Sequence, residues 1–153
     1  MNNQLKSKTR LTYIQIIFQH LSTNTDIEEI LNSFEQNYKG KFIENFNDKK
    51  KIKFEFNSNY LIKLINYYIQ FIKSENYISK INKHIDFDRK FDKWNLINKS
   101  ILIAALSEIK YTDTSKFKII LNDYLNISKL FINKFEIGII NAILDKLIND
   151  QKA

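Results

Sequence analysis

The chain has 153 residues, with 24 basic against 17 acidic side chains, a formal net charge of +7, and neither cysteine nor proline. This length suits one domain and can bury roughly 68–70% of the unfolded surface, while 44% apolar and 27% charged residues exclude global disorder. The lack of cysteine excludes disulfides, thiolate metal sites and cysteine nucleophiles, and no apolar run approaches the roughly 18–20 residues of a membrane span.

Two glycines and no proline leave few turn residues for strand hairpins, so the expected class is all-α, a compact single domain over residues 1–153 with six or seven helices. The first helix is predicted over Leu5 to Leu21, with Leu11, Ile14, Ile17, Phe18 and Leu21 as its buried stripe and Lys8, Thr12, Gln15 and Gln19 opposite. Thr25-Asp26-Ile27-Glu28 is a capping-box pattern. The helix it starts carries Ile27, Ile30, Leu31 and Phe34 inward and frays near Gly40. Residues 47–53 read as a solvated basic loop. A long helix is predicted from Ser58 to His84, and a broken, charged stretch from Asp86 to Asn95 holds Trp94, expected as a core plug. Helices then follow over Leu96 to Tyr111, after an Asp113-Thr114-Ser115 cap, and over Asn133 to Asn149.

Catalysis finds little support. His20 and His84 do not sit at a zinc-binding spacing, and Asp86 and Asp88 lack the glycine of a calcium loop. Two glycines cannot build a phosphate-cradling loop, and no nucleophile elbow occurs. The expectation is a nonenzyme without metal or cofactor, without a secretory signal, and cytoplasmic. Charge distribution points elsewhere. Residues 1–20 carry Lys6, Lys8 and Arg10 with no acid, whereas residues 21–38 carry four acids and no lysine or arginine. Lys6 and Arg10 lie one helical turn apart and suit a phosphate backbone, with Tyr13 and Gln15 on the outward arc of the same helix. Lys49, Lys50, Lys51 and Lys53 read as a solvated run.

Three blocks in the second half carry a family likeness: Trp94 to Ile109, Lys118 to Phe131 with Leu121-Asn122-Asp123, and Ile139 to Lys146. At the front stand Lys6-Ser-Lys-Thr-Arg10 and Ile14-Gln15-Ile-Ile-Phe18. In order and spacing these resemble the NusB transcription antitermination factor family. The resemblance implies an all-α fold of two small helical bundles that pairs with the small-subunit ribosomal protein NusE. The pair would bind single-stranded boxA RNA of nascent rRNA transcripts, keep the RNA polymerase elongation complex processive and assist rRNA maturation. It places Lys6, Lys8 and Arg10 on phosphates, Gln15 and Phe18 near bases, Phe135 at the close of the RNA path, and Asn98 and Lys99 toward the ribosomal protein.

The chain departs from the family pattern in three places. Lysines thin the arginine cluster and lack its bidentate fork, Phe18 stands for a tyrosine, and Asn133-Lys-Phe-Glu-Ile-Gly138 replaces an acidic-Ser-His stretch. RNA binding weaker than in an arginine-rich relative, or through a different residue set, follows as the expectation. Asn122, Asn141 and Asp145 are expected to tie helices together, and Glu108 to be structural or exposed. Replacing Lys6, Lys8 and Arg10 together by Ala is expected to remove most RNA binding with little change in melting temperature. The alternative function is a noncatalytic RNA-docking subunit of an rRNA-modifying enzyme; a helical interaction module with no RNA role is a third.

Overall fold

The computed structural model describes residues 1–44, 51–74 and 76–152. Helix α1 spans Asn3–Thr23, two residues longer at each end than its hydrophobic pattern. Asn2 caps its start by accepting from the Leu5 amide at 2.8 Å, and Asn24 ends it in the left-handed conformation at φ 55°. Helix α2, Ile27–Ser33, begins at Asp26, which accepts from the Glu28 amide, and runs on into a π-helical turn, Phe34–Tyr38. Gly40, at φ +78°, then turns the chain out.

Strands β1, Phe42–Glu44, and β2, Lys51–Lys53, pair antiparallel with Ile43 opposite Ile52. Residues 51–53 are therefore ladder, not loop; residues 47–50 lie outside the described residues. The expectation of no hairpin fails because this ribbon takes its support from below. Gly40 donates to the Phe54 carbonyl and the Phe54 amide to the Lys41 carbonyl, while Phe54 packs on Phe34, Tyr38 and Phe56.

The predicted long helix from Ser58 to His84 is two helices, α3, Ser58–Lys73, and α4, Tyr77–Asn82. The chain breaks at Asn76, left-handed at φ 69°, and α4 turns to pack on α7. Helix α5 is Leu96–Lys110, α6 is Phe117–Ser128 and α7 is Lys134–Lys152. Short 3₁₀ turns at Phe91–Lys93 and Thr114–Lys116 precede α5 and α6. A reciprocal capping box starts α7: the Glu136 amide donates to Asn133 Oδ1 and the Asn133 amide to Glu136 Oε2.

Helix α5 is the hub. Every residue from Ser100 to Ile109 is buried, and α5 packs against α1, α3, α6 and α7. The two small bundles expected from the sequence thus share α5 and one continuous hydrophobic core. Trp94 stacks on Phe87 and meets Phe91 edge-on, and its indole donates to the Arg89 carbonyl, closing the loop before α5. None of the described helices is long and apolar enough to cross a membrane.

Candidate nucleic-acid interface

Helix α1 is enclosed by α2, α3, α5 and α6, and this changes which of its side chains are inside. Thr9, Arg10, Thr12 and Tyr13 are buried, whereas Phe18 is 39% exposed and Leu11 and Leu21 sit at the margin. Polar groups enter because each finds a partner. Thr9 Oγ accepts from the Asn57 amide and donates to the Leu5 carbonyl, Thr12 donates to the Lys8 carbonyl, and the Tyr13 hydroxyl meets Ser107.

Arg10 is the largest correction. Its side chain is 7% exposed and its guanidinium grips Glu108 bidentately, with Nε 3.0 Å from Oε1 and Nη2 2.8 Å from Oε2. Nη1 donates to Asp123 Oδ2 at 2.7 Å and Nη2 also to the Tyr60 hydroxyl. Tyr60 and Tyr124 in turn donate to the two Glu108 oxygens, and Ser7 donates to Asp123 Oδ1. Burial opposes the charge on Arg10, but the hydrogen bonds and charge of Glu108 outweigh it and raise the guanidinium pKa above its ordinary value. Arg10 therefore joins α1 to α5 and α6 from inside and does not face a phosphate. Glu108 is its buried counter-ion.

Burial first, and the Glu108 charge second, also push the Tyr60 and Tyr124 hydroxyls above the usual tyrosine range. A raised folded pKa means the unfolded chain releases these protons first. Their contribution to stability is full below a pH of about 10, the unfolded tyrosine value, and is lost as pH rises beyond it. A falling melting temperature above that pH, with the tyrosinate absorbance of the buried hydroxyls appearing only as helical ellipticity disappears, is the expected result; complete tyrosinate absorbance in the folded protein would contradict it.

The other residues marked by sequence fall in three places. Lys6 lines a cleft between the start of α1, α3 and α6. Lys8 points to the ribbon side, 3.4 Å from Glu55, which Lys53 also approaches at 3.5 Å. Both pairs are open to solvent and contribute about 0–1 kcal/mol each. Gln15 and Phe18 share a slot with Phe34, Tyr38 and Phe54, and Gln15 Oε1 is buried with no partner among the described residues. Phe135, 77% exposed at the start of α7, lines a groove with Trp94 and Asn98. Asn98 Oδ1 likewise lacks a partner among the described residues, and Lys99 turns back to donate to the Asp92 carbonyl over the Phe91 ring. Phe135, expected near the RNA, and Asn98, expected toward the partner, thus line one groove. Asn122 and Asp145 are exposed, so Asp123 takes the tying role expected of Asn122.

A model of the NusB family matches residues 7–149. The chain belongs to the NusB family. The transcription antitermination protein NusB of Rickettsia felis is 29% identical over 95% of this chain and 92% of its own length, and that of Rickettsia massiliae 28% over the same shares. Among solved structures, a chain of antitermination factors NusB and NusE in complex with dsRNA superposes with a TM-score of 0.71 at 14% identity, covering 97% of this chain and 99% of that one. NusB of T. maritima gives 0.64 at 18% identity, over 95% and 91%. In this NusB chain the front motif and the Leu121-Asn122-Asp123 block, distant in sequence, meet through the Arg10–Asp123 pair.

Sequence reasoning passed over Tyr60, Lys63, Lys116 and Lys129, which share the cleft with Lys6. Glu108 carried a usable signal. It is an acid in the apolar run from Ile101 to Ile109, and a charge so placed demands a buried partner.

Proposed function

We propose that this chain is a noncatalytic transcription antitermination factor, acting as a single helical unit that binds the single-stranded boxA element of nascent rRNA together with the ribosomal protein NusE. The bound pair would keep the RNA polymerase elongation complex processive and support rRNA maturation. One observation carries the RNA reading: the first turns of α1 present Lys6 and Lys8 at the surface while Arg10 engages both Glu108 and Asp123 beneath them. The solved NusB and NusE complex with dsRNA supports both partners. On this reading Lys6 and Lys8 meet phosphates, Gln15, Phe18 and Phe135 lie near bases, and Asn98 and Lys99 stand toward NusE. Arg10 positions α1 and leaves the contact set.

Electrophoretic mobility of a boxA RNA, with and without NusE, tests the proposal. The two phosphates met by Lys6 and Lys8, at a slope of about 0.7 each, predict an affinity loss of at least about 7-fold between 50 and 200 mM salt. Tighter binding with NusE completes the expected result. No retardation at low salt, or indifference to NusE, would refute it.

A further inference from the structure

The cleft beside α1 has a volume of about 970 Å³ and is walled by α1, α3 and α6. Four lysines from separate places in the chain line it: Lys6 on α1, Lys63 on α3, Lys116 in the turn before α6, and Lys129 just after α6. None of the four lies within ion-pair distance of a carboxylate among the described residues. The acids in the cleft, Glu108 and Asp123, are both held by Arg10. Arg10 offsets one of these two negative charges and holds both carboxylates on itself, so the four lysines leave the cleft with an excess of positive charge, and a concave surface of that kind concentrates anions.

We propose that this cleft carries the phosphate backbone of the bound single strand, with Lys63, Lys116 and Lys129 as phosphate contacts continuing the line begun by Lys6. The inference rests on the RNA reading above and deepens it by naming the path. Cations spread over separate elements suit a string of charges better than one compact anion. The exposed amides of Asn122 and Asn126, on the same wall, supply donors and acceptors that an RNA base edge can use.

Fluorescence anisotropy with a labelled single-stranded boxA RNA tests the path. The triple variant Lys63→Gln, Lys116→Gln, Lys129→Gln is compared with Lys73→Gln, Lys80→Gln, Lys83→Gln, which removes the same charge from lysines outside the cleft. All six side chains are exposed, so both variants are expected to melt like the parent. At about 0.7 per lost phosphate, the cleft variant's log–log salt slope falls by about 2 and its affinity at 0.1 M salt by about 100-fold, while the control stays within about threefold. Equal losses in both variants, or an unchanged slope in the cleft variant, would overturn the path while leaving RNA binding intact. A cleft variant that keeps RNA but loses NusE would make this a protein surface and overturn it too. A parent that binds no RNA at all defeats the functional reading itself, and the path with it.

Discussion

Replacing Arg10 by Met is expected to lower stability by about 3–5 kcal/mol, the range for removing one partner of a buried ion pair. Glu108 is 3% exposed and would keep only the Tyr60 and Tyr124 hydroxyls, and the residual charge would lie among apolar neighbours. At about 2–4 °C per kcal/mol for a chain of this size, the melting temperature falls by about 6–20 °C. Adding Glu108→Leu removes the stranded charge, so the double variant is expected to recover much of the loss. A double variant as unstable as the sum of the two single ones would show that the pair is not coupled. Below its melting transition, the Arg10→Met protein is also expected to bind RNA more weakly than the parent, because Glu108 and Asp123 then line the cleft without a counter-ion. Replacing Lys6, Lys8 and Arg10 together therefore confounds binding with folding; Lys6 and Lys8 are the pair to change.

Leu102→Ala is expected to cost about 2–5 kcal/mol, through lost burial and the cavity left behind. Leu102 is fully buried on the helix that both groups of helices share, so the loss reaches both halves. A single cooperative transition, lowered by about 4–20 °C in calorimetry and circular dichroism alike, is the expected result. Two separated transitions would show that α5 does not couple the halves. Because Leu102 is fully buried and is not among the residues lining the lysine cleft, the variant's salt slope for RNA binding is expected to match the parent's.

Much of the architecture was legible in the chain. Helices α5, α6 and α7 were predicted to within a few residues, because α6 alternates apolar and polar faces at helical period and α5 is apolar almost throughout. Helix α1 is legible, with Ile14 and Ile17 buried as the spacing predicts, but Phe18 is exposed and Thr12 buried contrary to it. Periodicity assumes that polar side chains face water, and here Arg10 and Tyr13 enter the core with partners from α3, α5 and α6, while Thr9 and Thr12 are satisfied by carbonyls of α1 itself and the Asn57 amide. The break at Asn76 was invisible for a different reason. A left-handed asparagine leaves no mark in hydrophobic spacing, and the apolar pattern continues across it. The β ribbon is not legible in the chain because its support is an aromatic cluster assembled from the π turn after α2 and from residues 54–56.

The candidate site divides in the same way. Lys6, Lys8, Gln15, Phe18 and Phe135 could be singled out from residue type and likeness, but not which of them share a surface. Lys6 and Lys8, two residues apart, leave opposite sides of α1, while Lys6 and Lys129 meet around one cleft.

By itself the sequence determined the helical class, the positions of most helices, the excess of lysine and the family, since each depends on local pattern or residue order. The tertiary structure alone decided that one of the first three cations is internal and that scattered lysines form one rim. Ion pairing and burial depend on distances across the fold, and a residue's neighbours along the chain do not encode them.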